Sequence, residues 1–253
     1  MTMLATDPKR RFSNRVDDYV RYRPGYPSAI LDALREECGL APESVVVDVG
    51  SGTGLLARMF LDNGNLVYGV EPNAAMRDAG EQFLEKYPHF CSVAGSAEAT
   101  TLPGATVDFI VAGQAFHWFE PDAARAEFHR ILGPGGWLVL VWNERQPAPG
   151  FMAEYEALVR GFAWEPNRIE ESDIARVCGG PFRKARLDNR QLLDCEGLIG
   201  RLTSSSYAPL PSAANYPAMV ESLEEIFARF QQDGYVTMLY DTHLFYGHVA
   251  EGV

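Results

Sequence analysis

The sequence predicts an α/β protein: a doubly wound, mostly parallel sheet with helices on both faces. Three observations predict it. Short β-branched apolar runs alternate with helical stretches through about residue 145. A glycine-rich turn, Gly50-Ser-Gly-Thr-Gly54, follows the first of these runs directly. The length, 253 residues, suits one large domain with a modest insertion.

The elements follow in order. A short helix is expected around Asn14–Arg21, then a turn at Pro24-Gly-Tyr-Pro27, because each proline disfavours helix at the residue before it. Ser28–Cys38 has helical periodicity, with Ile30, Leu31 and Leu34 on one face and Gly39 as its stop. Ser44–Val49 reads as a buried parallel strand and Leu55–Asn63 as a helix. Asn65–Val70 is a second strand ending at Glu71, Ala74–Tyr87 a helix, and Phe90–Ala94 a third strand. Val107–Ala112 is a fourth strand, and Ala123–Leu132 a helix closed by Gly133-Pro134-Gly135-Gly136. Trp137–Trp142 is the fifth strand. Beyond it the pattern weakens. Phe151–Phe162, Cys195–Arg201 and Tyr216–Gln232 read as helices, and Arg183–Asn189 and Val236–His248 as extended. Two late strands complete a seven-stranded sheet, and the helices around them form a small cap. The whole is read as one domain over 1–253: a lid and helix (1–40), a binding core (41–145), then cap helices and the last strands (146–253).

Bulk properties narrow the function. A net charge of −12, with no Lys/Arg run, argues against nucleic acid and for a small-molecule substrate. No apolar run approaches the ~20 residues that span a bilayer. Four cysteines without CxxC spacing, and no signal-peptide pattern, suggest a reducing cytoplasm. The five histidines, His89, His117, His129, His243 and His248, lack a metal-ligand pattern, so no metal is expected.

The chemistry centres on strand–GSGTG–helix with an acid, Glu71, ending the next strand. Glycines permit positive φ and close approach of a ligand to the backbone. The turn sits at the carboxyl end of a strand, where open α/β sheets bind ligands, and the acid suits ribose hydroxyls. A nicotinamide dinucleotide fingerprint fits Gly50 and Gly52 but fails at Leu55, and no P-loop lysine follows.

VVVDVGSGTG (45–54) resembles motif I of the class I, Rossmann-like S-adenosylmethionine-dependent methyltransferases, and the similarity continues in order over about residues 44–145. VYGVEPN, GSAEATTLP, VDFIVAGQAFHWF and LGPGGWLVLVWN match successive family segments. The N-terminal FSNRVDDYVRYRPGYP and the QAFHWF loop look like the trans-aconitate methyltransferase-like subgroup of the type 11 group. The resemblance implies S-adenosylmethionine as cofactor, S-adenosylhomocysteine as product, and methyl transfer to a small acceptor, a carboxylic acid among the candidates. A monomer or homodimer is expected. A non-catalytic S-adenosylmethionine-binding module and an NAD(P)-dependent oxidoreductase are the rival readings.

The implied cofactor set is Asp48, Gly50, Ser51, Gly52, Gly54, Glu71, Pro72, Met76, Ser96, Ala97, Glu98 and Gln114, with Arg23 and Tyr19 from the N-terminal segment. In the family Asp48 contacts the methionine amino group; as a strand-end acid it can equally cap the loop amides. Met76 packs on adenine, and Ala97 and Glu98 bound its edge. Arg23 suits the cofactor carboxylate, or an ion pair with Asp17 and Asp18. His117 is the candidate general base, against a structural role satisfied by a backbone carbonyl. Phe116 and Trp118 shape the acceptor pocket or pack in the core. Arg145, Arg201 and Tyr207 are candidate substrate residues. The N-terminal segment and cap are expected to close over the site and exclude water.

Overall fold

The computed structural model describes residues 21–162, 170–205 and 207–251. The elements in chain order are α1 (Ala29–Cys38), β1 (Val45–Val49), α2 (Leu55–Asp62), β2 (Leu66–Val70), α3 (Ala74–Phe83), β3 (Phe90–Val93), β4 (Val107–Gly113), α4 (Pro121–Ile131), β5 (Leu132–Arg145), α5 (Phe151–Phe162), α6 (Glu171–Cys178), β6 (Phe182–Leu193), α7 (Cys195–Thr203), α8 (Tyr216–Phe230) and β7 (Val236–Gly247). The expected helix at 14–21 falls almost wholly outside the described residues.

One seven-stranded sheet has the order β3-β2-β1-β4-β5-β7-β6. β1 pairs in parallel with both β2 and β4, so chain order reverses beside β1. Ligands of open α/β sheets bind at this kind of switch point. β7 runs antiparallel between β5 and β6. β1 and β4 at the centre are buried on both faces, as their apolar runs require, while the edge strand β6 is mostly exposed or half-buried. Val46, Val67, Phe109, Val111, Val139 and Val141 face α1 and α2. Val47, Val49, Ile110, Ala112, Leu138 and Leu140 face α4 and α6. A third core joins α5, α7 and α8 to Val236, Met238 and Tyr240 of β7. The cap therefore grows from β7, at the sheet edge where β5 and β6 end.

Several boundaries differ from the sequence reading. α3 stops at Phe83 rather than Tyr87; Leu84 turns inward, fully buried. α4 begins at Pro121, because Glu120 caps it by accepting the Ala123 N–H at 2.9 Å. β5 starts at Leu132, which already pairs with Val107; pairing resumes at Phe109 with Trp137, so the Gly133–Gly136 turn bulges from within the strand. α6 had no sequence assignment. Its buried Ile174, Val177 and Cys178 have helical spacing, and Gly179 ends it in the left-handed region.

Candidate functional site

The glycine loop is built by backbone conformation. Gly50, Gly52 and Gly54 have φ of +68°, +55° and +82°. A methyl group at Gly50 would fall 2.6 Å from Ala115 Cβ, and one at Gly54 would fall 2.5 Å from Leu84 Cδ1. Side chains are excluded by strain and by space. Met76 is buried against this loop, its Cε 3.3 Å from where a Gly52 Cβ would stand.

One acid holds the loop and a second holds the start of α2 behind it. Glu71 accepts the Gly52 N–H at 2.9 Å through Oε2 and the Asn73 N–H at 2.8 Å through Oε1. Each carboxylate oxygen keeps a further lone pair for a ligand hydroxyl. Burial pushes the Glu71 carboxyl above its usual range, while these two N–H groups oppose the shift. Asp48, 1% exposed, accepts the Ala57 N–H at 3.0 Å through Oδ2. Its Oδ1 is buried without a hydrogen-bond partner, and so is the Thr53 hydroxyl. Desolvation raises the Asp48 carboxyl to about 7; the Ala57 N–H works against this and the Glu71 charge with it. A pocket at this end of the sheet is lined by Tyr26, Asp48, Gly50, Ser51, Gly52, Thr53, Leu55, Leu56 and Gly113.

Other expected contacts are committed to protein partners. Glu98 Oε1 accepts the Glu120 N–H at 2.9 Å, tying the 95–99 turn to the start of α4. Ser96 and Ala99 exchange backbone hydrogen bonds, Ala97 lies in the core, and Pro72 is exposed. Gln114 takes φ +57° and donates from Nε2 to the Asn143 carbonyl at 2.9 Å, at the end of β5.

The turn after β4 places Phe116 in the core, edge-on to Phe119. Trp118 is 37% exposed, its ring centroid 4.5 Å from that of His117. His117 departs from the sequence expectation in two ways. Its Nδ1 is buried and has no partner, so no backbone carbonyl satisfies that atom. Burial first, and the Arg23 charge second, lower it to about 4, well below the ordinary 6.5. The ring is neutral at physiological pH.

Tyr19 lies outside the described residues. The described part of the N-terminal segment crosses the strand ends. Gly25 O accepts from Asn143 Nδ2 (3.2 Å) and Asn189 Nδ2 (2.9 Å), and Tyr22 O accepts from Gln191 Nε2 (2.9 Å). Arg23 Nη2 donates to Ser204 O at 3.0 Å, at the end of α7. Tyr26, which sequence reasoning did not single out, puts its hydroxyl 2.4 Å from where a Gly113 Cβ would be. Its signal was the PGYP turn itself. Thr53 was overlooked beside its glycine neighbours.

Arg145, Arg201 and Tyr207 come together under the cap. Arg145 pairs with Glu156 and donates from Nη1 to the Tyr207 hydroxyl at 2.5 Å. The neighbouring Arg145 and Arg201 guanidinia outweigh burial and hold the Tyr207 phenol at about 8. Arg201, 4% exposed, donates to the Tyr240 and Ser205 hydroxyls. Among the described residues no group of three or more His, Cys, Asp or Glu side chains could hold a metal ion, and no helix is long and apolar enough to cross a membrane.

Comparison with known proteins agrees with this geometry. Residues 47–140 match the family model described as a methyltransferase domain. An uncharacterized methyltransferase of Mycobacterium bovis is 35% identical over 159 residues, and one of Schizosaccharomyces pombe 34% identical over 137. The first alignment spans 63% of each chain; the second spans 54% of this chain and 53% of the relative. The chain thus matches between half and two thirds of these relatives' length. Among solved structures, a candidate type II methyltransferase of Anaeromyxobacter dehalogenans superposes with a TM-score of 0.71 at 22% identity, covering 91% of this chain and all of that one. A geranyl diphosphate methyltransferase gives 0.54 at 17%, covering 96% and 97%. At these identities the structures establish the shared fold. Family model, curated relatives, sheet order and glycine loop agree in likening residues 47–140 to a methyltransferase domain.

Proposed function

We propose that this protein transfers a methyl group from S-adenosylmethionine to a small-molecule acceptor. The observation that carries the reading is the pair of buried, unpartnered acceptors, Asp48 Oδ1 and the Thr53 hydroxyl, in a pocket floored by the positive-φ glycine loop. A buried carboxylate oxygen without a donor is costly, and a ligand ammonium would supply that donor. The residues fit the cofactor. Asp48 would hold its amino group, Glu71 its ribose hydroxyls, and the Gly50–Gly54 backbone would pass beside both, with Met76 packed on the loop.

The bound cofactor supplies an already activated methyl group on a sulfonium. The protein's work is to orient the acceptor and exclude water; alignment of reactants is worth roughly 7–11 kcal/mol in well-ordered systems. The 21–27 segment, fixed across the ends of β5 and β6, closes one side of the site. His117 is a neutral ring beside it. With its basicity lowered to about 4, it suits an acidic proton or a hydrogen-bond-accepting role. The net charge of −12 favours a small acceptor over nucleic acid, and we place the activity in the cytoplasm. The acceptor class of the trans-aconitate methyltransferase-like subgroup is part of this proposal.

Calorimetric titration with S-adenosylmethionine, S-adenosylhomocysteine and NADH tests the reading, with Glu71→Ala as control. Micromolar binding of both adenosyl compounds, lost in the variant, is expected. Binding of NADH instead, or of neither adenosyl compound, overturns it.

A further inference from the structure

Among the described residues no carboxylate pairs with the buried Arg201 guanidinium. Arg201 sits in the last turn of α7, where the helix dipole offsets only part of the cost of burying a charge. Its two hydrogen-bond acceptors, Tyr240 and Ser205 hydroxyls, are neutral. Besides them, the charges and phenols that act on it are those of Tyr207, Tyr155 and Arg145, and no carboxylate is among them. The Glu156 carboxylate is paired with Arg145. An ionised guanidinium in the interior is ordinarily matched by a carboxylate or a ligand.

An independent observation marks the same place. The Tyr155 hydroxyl, on α5, is fully buried and makes no hydrogen bond. It shares its electrostatic surroundings with Tyr207, Arg201, Arg145 and Tyr240. The Arg145 guanidinium lies 5.7 Å from its ring centroid. The cluster thus holds a buried hydroxyl with no hydrogen-bond partner and a guanidinium whose two hydrogen bonds go to hydroxyls, and a bound oxyanion would partner the first and counter the charge of the second. Arg23 links the cluster to the turn after β4 electrostatically: it donates to Ser204 O at the end of α7, and its charge acts on both His117 and Tyr207.

We propose that Arg201 and Tyr155, flanked by Arg145 and Tyr207, form an oxyanion subsite that anchors a carboxylate or phosphate group of the methyl acceptor. This rests on the methyltransferase reading for the word acceptor, though the anion site itself does not. The subsite serves as an anchor, because lone pairs held by a guanidinium are poor nucleophiles; the methylated atom is a different one.

The full chain is titrated with glutarate, with phenyl phosphate and with neutral glutaramide, with and without S-adenosylhomocysteine, by calorimetry and thermal unfolding. The expected result is that one anion binds and raises Tm while glutaramide does neither; the stronger anion arm identifies carboxylate or phosphate. Arg201→Gln should weaken that anion at least tenfold and leave S-adenosylhomocysteine affinity within twofold. Tyr155→Phe should weaken the anion about threefold to tenfold. Without anion, Tyr155→Phe should melt at or above the wild-type temperature, because it removes a buried hydroxyl that has no hydrogen-bond partner. If Arg201→Gln does not fold, the site loses its main support and Arg201→Lys decides: weakened anion binding sustains the subsite, unchanged binding overturns it. Absence of anion binding in the wild-type protein, or equal binding in Arg201→Gln, also overturns it. Failure of S-adenosylhomocysteine to bind removes the methyltransferase reading while the anion arms are still read.

Discussion

Glu71 Oε2 accepts the backbone N–H of Gly52 at 2.9 Å, so the acid that ends β2 holds the glycine loop that ends β1. One side chain thereby shapes the loop and presents its free lone pairs to the pocket. Glu71→Gln is expected to fold, with Tm lowered by a few degrees, because one of its two N–H partners then faces an NH2 group, which cannot accept a hydrogen bond. The loss is about 1.5–3 kcal/mol, typical of a hydrogen bond to a charged acceptor. S-adenosylhomocysteine affinity should fall at least tenfold by calorimetry. Unchanged affinity would show that the acid serves the loop alone.

Asp48 and His117 impose opposite pH dependences. The folded-state carboxyl of Asp48 is raised from 3.8 to about 7. Its stabilising contribution is full below about pH 4 and is lost as pH rises to 7. His117 is lowered from 6.5 to about 4. Its contribution is full above about 6.5 and is lost as pH falls towards 4. The two partly cancel in the wild type. Asp48→Asn should unmask a stability that rises from pH 4 to 6.5, and His117→Asn one that falls from pH 4 to 7, in urea unfolding across that range. Cofactor affinity should weaken about tenfold per unit below pH 7 in the wild type, because an ammonium needs the ionised carboxylate. That slope should vanish in Asp48→Asn.

The glycines separate backbone need from mere abundance. Gly50→Ala meets Ala115 Cβ at 2.6 Å and a φ of +68°. The left-handed conformation alone costs about 1–2 kcal/mol, and the clash adds to it. Unfolding should shift by about 2 kcal/mol or more, with loss of cofactor binding. Gly161→Ala, on α5 with nothing within 4 Å, should stabilise by up to about 1 kcal/mol. Equal effects of the two substitutions would refute the assigned loop geometry.

What was legible in the sequence is what is local. A β-branched run, three glycines and an acid 21 positions after Gly50 lie within two elements, and the alternation of strands and helices predicts a mostly parallel sheet with helices on both faces. Helix α6 was missed because its apolar spacing fills barely two turns, too few for periodicity to stand out. Glu98 illustrates the limit at the site. Its partner is a backbone N–H 22 residues away, at a helix start that the sequence placed two residues late. Arg201 illustrates it in the cap. As a letter it is one of many arginines; its significance lies in burial without a carboxylate, which only the packing of α5, α7 and β7 creates.

His117 was the one candidate base in the loop after β4, and its surroundings set how much it can contribute. A general base that takes a full proton works best with a pKa near the operating pH, and contributes about 10²–10⁴-fold. At about 4, with the Arg23 charge nearby, the imidazolium is disfavoured throughout that range. The buried Nδ1 can still accept a hydrogen bond from an acceptor group. His117→Asn, which offers a carbonyl oxygen in place of Nδ1, is therefore expected to lower kcat less than about tenfold, with the shape of the kcat profile at saturating cofactor and acceptor the same in both proteins from pH 6 to 9. A drop of a hundredfold or more, with a wild-type profile that titrates near 6 or 7, would mean that bound acceptor restores the basicity that burial removes.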